Sequence, residues 1–194
     1  MDDFILYLNL GLFHVLDWKA YDHILFLMVL VVIYTFKDWE KVLWMVTFFT
    51  IGHTFTLALS AYNIIDIDSK IVEFLIPLTI FLTALMNVIL LRKSKNKIEI
   101  NLNIFFAFFF GLIHGLGFSN YFKILIDKNE SKILPLLEFA LGIEFAQVII
   151  VLMVLLLGFV FQTFFRVSKR DWILIISSLV GGIVIPMMIE RNFW

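Results

Sequence analysis

Between positions 134 and 165 the chain carries only two ionisable side chains, Glu138 and Glu144, in an otherwise almost wholly aliphatic and aromatic run. In lipid no water satisfies stray N–H and C=O groups, so an apolar segment of roughly 20 residues or more folds as a helix that closes its own hydrogen bonds. Comparable stretches at 4–16, 22–36, 42–62, 71–91, 102–126 and 172–189 extend the pattern. They predict an all-α, polytopic transmembrane helix bundle of six or seven helices, a single integral membrane domain over 1–194. The first stretch is short for a hydrocarbon core about 30 Å thick, hence the choice between six and seven. The 134–165 helix exceeds one span and is predicted to tilt or protrude.

Composition removes the rivals. The chain is 62% hydrophobic and 16% charged, with 23 Phe and 5 Trp, against about 45–50% apolar for a soluble domain. A core of this size cannot bury so much aromatic surface without lipid around it. A net charge of -1 offers no field for nucleic acid, which is excluded as a partner. There is no Cys, so disulfides and thiolate ligands are absent and any metal is held by nitrogen or oxygen. The N-terminus has Asp2 and Asp3 where a secretory signal carries basic residues, so the first helix is read as retained.

Orientation follows from the basic loops. Lys37 and Lys41, then Arg92, Lys93, Lys95 and Lys97, then Arg166, Lys169 and Arg170 all fall on one side of an alternating topology. That side is read as cytoplasmic. Asp66, Asp68, Asp127 and Glu130 fall on the other, diluted by Lys70, Lys123, Lys128 and Lys132. The tryptophans Trp18, Trp39, Trp44, Trp172 and Trp194 read as interface anchors.

Ionisable groups inside a bilayer cost about 2.5–3.5 kcal/mol each on insertion scales, which makes them functional candidates. All four histidines qualify. His14 and His23 flank Asp17 and Asp22 where the first two helices meet, and His53 and His114 lie deep in the third and fifth. Glu144 and Gln147, three residues apart, share a helix face, and Glu138 sits nearer the outer end of that helix. Gly111, Gly115 and Gly117 surround His114 with small residues that admit another backbone. Four His with carboxylates and no Cys suit a divalent transition-metal ion such as nickel, cobalt or zinc. The candidate ligands are therefore His14, Asp17, Asp22, His23, His53, His114 and Glu144, with Glu138, Gln147 and Thr54 as supporting polar groups. Asp22 beside His23 is placed to orient the ring through its second N–H. Asp17 and Asp22 also fit helix capping, and Thr50, Thr54 and Thr56 fit helix packing.

At these residues the sequence resembles the HupE/UreJ family of hydrogenase and urease accessory membrane proteins, regarded as nickel or cobalt permeases. The resemblance runs through Gly11-Leu12-Phe13-His14, Asp22-His23-Ile24-Leu25, the helix around His53, Phe110 to Phe118 with His114, and Gly142-Ile143-Glu144. His14, Asp22 and His23 match the family's nickel-binding motif, with a longer turn between the first His and the Asp-His pair. His114, Gly115 and Gly117 match its second motif. The resemblance implies passage or binding of a divalent metal of nickel or cobalt type. With the depth of the histidines and the basic loops, the chain is read as a transporter in the bacterial inner membrane with a His/carboxylate metal site in the outer half of the bundle. Its partners are the lipid bilayer and the metal ion, and a homo-oligomer is compatible with the sequence. Alternatives read from the residues are an intramembrane zinc-type hydrolase and a non-transporting metal-binding protein. Polar residues thin out inward of His53 and His114, leaving mainly Thr47, Thr50, Asn87 and Asn103; this counts against simple conduction and fits a closed-floored enzyme.

Overall fold

The structure, a computed structural model, describes residues 2–92, 100–125 and 131–193. Among them are eight helices and no strand: α1 (Asp2–Leu16), α2 (Asp22–Val31), α3 (Trp39–Ala61), α4 (Ser69–Arg92), α5 (Ile100–Gly117), α6 (Ser119–Leu125), α7 (Ile133–Thr163) and α8 (Lys169–Glu190). Four segments, Phe36–Ala61, Ser69–Leu91, Ile133–Thr163 and Lys169–Glu190, are long and apolar enough to cross a membrane. The pair Asn103–Gly117 and Ser119–Leu125, bent by 53°, passes the same measure when taken together, as a broken span or a re-entrant loop. The helical membrane bundle read from the apolar runs is therefore the fold, and the long penultimate helix runs to 31 residues. The Lys93, Lys95 and Lys97 cluster lies outside the described residues, as do Asp127, Lys128, Glu130 and Trp194.

Three expectations change. The helix expected over 22–36 stops at Val31, so α2 has 10 residues and a length of about 15 Å, half the bilayer core. Thr35 then turns the chain: its N–H and hydroxyl both donate to Asp38 Oδ2 (3.3 and 3.0 Å), and α3 starts at once. The helix expected over 102–126 breaks after Gly117. Two glycines weaken it there, and Ser119 Oγ takes the Leu116 carbonyl (2.8 Å) that a continuing helix would have used. Trp172 is not an interface anchor; it is 7% exposed and stacks on Phe161 with ring centroids 5.3 Å apart.

Contacts set the directions. Leu8 and Gly11 lie against Gly142 and Phe139, so α1 and α7 are antiparallel. Phe49 and His53 lie against Gly111 and Gly115, so α3 and α5 are parallel. Thr50 meets Gln147, while Lys132 reaches the Ala61 carbonyl, so α3 and α7 are antiparallel. Asp22 meets Arg191 and Asn87 meets Ser177, which sets α2 and α4 against α8. Lys37, Lys41, Arg166, Lys169 and Arg170 thus share one end of the bundle.

Helices in lipid gain little hydrophobic free energy by touching, so close packing must hold them. A Cβ at Gly11 or Gly142 would overlap the Phe139 or Leu8 carbonyl oxygen. One at Gly52, Gly111 or Gly115 would overlap that of Phe108, Phe49 or His53. Backbone presses on backbone in both pairs, α1 with α7 and α3 with α5. The short α2 is held differently. Its C-terminal carbonyls have no partners within the helix, and Asn87 Nδ2 donates to one of them, Val29 O (2.7 Å), while also reaching Ser177 Oγ (3.3 Å).

Gly52→Val and Gly142→Val are expected to lower the melting temperature in detergent by several degrees, since overpacking costs about 1–3 kcal/mol. Gly182→Ala, where nothing lies within 4 Å, is expected to melt no lower than wild type. Circular-dichroism melts decide; equal melting of all three would contradict the close backbone packing.

Candidate metal site

The two close-packed pairs and α2 deliver the histidines to one place. His14 comes from the last turn of α1, His23 from the first turn of α2, His53 from α3 and His114 from α5. Ring centroids are 4.7 Å apart for His14 and His23, 5.6 Å for His14 and His53, 5.8 Å for His23 and His53, and 5.2 Å for His23 and His114. One nitrogen from each of His14, His23 and His53 lies within 4.8 Å of the other two. Slight ring rotations would let these nitrogens hold an ion at the usual imidazole–metal distance of about 2.0–2.1 Å.

The surroundings are aromatic. Phe118 lies 4.1 Å from the His14 ring and stacks on Phe139 at 5.1 Å. Phe49 lies 6.1 Å from His23, and Phe26 lies 5.2 Å from His114. Such walls give imidazoles nothing to bond with. His14 Nε2, His23 Nε2, both nitrogens of His53 and His114 Nδ1 are buried without a hydrogen-bond partner. Each unpaired buried polar group costs roughly 1–3 kcal/mol, and native structures rarely keep several together. A shared ligand that takes their lone pairs removes that cost.

His114 is the exception with one partner. Thr79 Oγ1 donates its only proton to the Ile76 carbonyl (2.7 Å), so it must accept the His114 Nε2–H at 3.1 Å. That contact selects the tautomer with a free lone pair on Nδ1, as an outer-shell group does for a metal-binding His. His114 nevertheless stands beside the three grouped nitrogens rather than among them.

Helix ends add charge. The C-terminal end of α1, next to His14, carries partial negative charge that favours a cation. The opposite charge at the start of α2 is offset by Asp22, in its first turn.

A family model described as HupE / UreJ protein matches residues 1–191. The chain belongs to the HupE/UreJ family. No curated protein and no solved structure matches it.

In this HupE/UreJ protein the remaining candidates go elsewhere. Asp17 Oδ1 accepts the Lys19 N–H (2.8 Å) and shapes the exposed turn between α1 and α2. The Asp22 carboxylate is taken by Arg191, with contacts of 3.1, 3.2 and 3.3 Å, so it neutralises the C-terminal arginine rather than orienting His23. Glu144 and Gln147 face Thr47 and Thr50 of α3. Glu138 is buried on α7, 6% exposed, and Thr54 keeps a buried hydroxyl without a partner. Thr79 and Arg191 escaped the sequence reading. Arg191 had one signal: an Asp opening an apolar helix needs a cation, and the C-terminal end of α8 offers one. Thr79 had none, because its role depends on where α5 packs.

A double-mutant cycle tests the Asp22 and Arg191 pair. Asp22→Asn and Arg191→Met are each expected to destabilise the protein, with the double variant losing about 1–2 kcal/mol less than the sum. Additive losses in chemical denaturation would show that the pair does not couple.

Proposed function

We propose that this HupE/UreJ protein carries a divalent transition-metal ion, of nickel or cobalt type with zinc as the nearest competitor, across the bacterial inner membrane with its basic loops in the cytoplasm. The observation that supports the reading best is the meeting of three imidazoles whose nearest nitrogens lie within 4.8 Å while their free nitrogens find no protein partner. Neutral imidazole is the usual ligand for these borderline ions. Three neutral imidazoles leave the charge of the ion uncompensated by the protein, and a carrier needs a site that also lets its ion go. The short helices α1 and α2 bring His14 and His23 together where one helix ends and the next begins, and helix ends inside a bundle are a recurrent setting for ion sites in transporters. No nucleotide-binding motif is present in the sequence. The driving force is then a gradient or the membrane potential, worth about 2.3 kcal/mol per charge per 100 mV.

One observation favours a second reading. Phe26 stacks on Phe49 with centroids 5.0 Å apart, and both rings lie against the His114 imidazole at 5.2 Å. A fixed zinc there, with an open coordination position, would activate water for hydrolysis of a lipid.

Elemental analysis after dialysis against a weak chelator, together with Ni²⁺, Co²⁺ and Zn²⁺ uptake into proteoliposomes, separates the readings. Wild type is expected to bind about one ion that exchanges readily. His23→Ala/His53→Ala is expected to bind none, with uptake reduced roughly tenfold or more. Metal that resists the chelator, with no uptake, supports the hydrolase. Absence of binding for all three ions would defeat both.

A further inference from the structure

Thr50 lies three residues before His53 on α3, eleven residues from each end of that helix and so near mid-membrane, about 4.5 Å along the axis from the histidine. It faces α7. Thr47 Oγ1 donates to Glu144 Oε1 at 2.6 Å. Thr50 Oγ1 lies 2.5 Å from Glu144 Oε2, 3.1 Å from Gln147 Oε1 and 3.1 Å from the Val46 carbonyl. A threonine has one hydroxyl proton, and here three acceptors compete for it. Gln147 is 0% exposed, and its Nε2 has no partner. Its oxygen therefore faces the other oxygens while its donors go unused. Turning the amide over would supply Thr50 with a donor, but it would leave the Gln147 oxygen as the unpaired buried atom instead.

Five side-chain oxygens thus converge with two hydroxyl protons among them: both of Glu144, and one each from Gln147, Thr47 and Thr50. In a low-dielectric interior such crowding of acceptors is unfavourable, and a cation in their midst replaces the missing donors. A carboxylate at this depth needs charge compensation, yet the groups that touch it are neutral hydroxyls.

We propose that Glu144, Gln147, Thr47 and Thr50 form a second cation stop, an all-oxygen site that takes the divalent ion from the imidazoles toward the inner end of the bundle. This rests on the transport reading above. The chemistry suits a relay. Oxygen donors hold nickel, cobalt or zinc less tightly than imidazole does, so an ion driven there by the gradient or membrane potential leaves the second stop readily, and the Glu144 charge offsets its loss of hydration.

The test uses full-length protein in proteoliposomes with Ni²⁺ uptake as one readout and the visible absorption of Co²⁺ bound at the imidazoles as the other. Thr50→Val/Gln147→Leu is expected to keep the Co²⁺ spectrum and its midpoint within about twofold, while uptake falls roughly tenfold or more. Glu144→Gln keeps the shape of the site and is expected to behave alike, which covers the case in which the apolar pair fails to fold. Thr50→Ser, retaining the hydroxyl, is expected to retain uptake. Wild-type uptake in Glu144→Gln overturns the second stop. So does loss of the Co²⁺ spectrum in a Glu144→Gln protein that melts normally, because the two clusters would then be one. Absence of both uptake and Co²⁺ spectrum in wild type is a different result, and it removes the transport reading itself.

Discussion

Gly115 of α5 sits where any side chain would strike the His53 carbonyl oxygen, and one turn earlier Gly111 does the same against Phe49. This backbone contact between α3 and α5 sets the separation of two of the four histidines. The contact of Gly11 with Phe139, and of Gly142 with Leu8, places the third by fixing α1 on α7. In water such pairs would be squeezed together by the loss of apolar surface; in lipid that force is absent, and short-range packing must do it. Small residues at these few points are therefore what the site geometry rests on.

The site also depends on two helices that are too short. α1 and α2, of 15 and 10 residues, cannot cross a hydrocarbon core of about 30 Å. Their junction brings helix ends, with their partial charges and unpaired backbone groups, into the bundle. Three devices handle these ends: Asp17 bonding within the turn, Arg191 neutralising Asp22, and Asn87 accepting the task of satisfying Val29. None of the three touches the grouped imidazoles, whose nitrogens are left without protein partners. The polar groups at these helix ends are paired, whereas five imidazole nitrogens of the four histidines are buried without a partner.

The polar features between the histidines and the Lys37 and Arg166 end of the bundle divide in the same way. Asn87 and Asn103, which the sequence reading counted with Thr47 and Thr50 as a thin inner path, have structural partners: Asn87 as above, and Asn103 with the Tyr34 hydroxyl at 2.6 Å. Thr47 and Thr50 instead meet Glu144 and Gln147. Polar groups from two helices distant in the chain thus meet at one level.

The bundle, its apolar spans, the family resemblance and the four histidines were legible in the residues alone, because hydropathy over twenty positions is a local property and an ionisable group in such a run is conspicuous wherever it sits. The shortness of α2 and the break after Gly117 were less legible, since both turn on single side chains, Thr35 with Asp38 and Ser119, competing for backbone groups. What only the tertiary structure decided is partnership. It grouped His53 with His14 and His23, sent Asp22 to Arg191, and set Glu144 against two threonines 94 and 97 residues away. Those choices follow from which helix faces meet; Gly111 and Gly115 marked one such face in the sequence, but which backbone fills it, that of Phe49 and His53, is decided by the packing of distant segments.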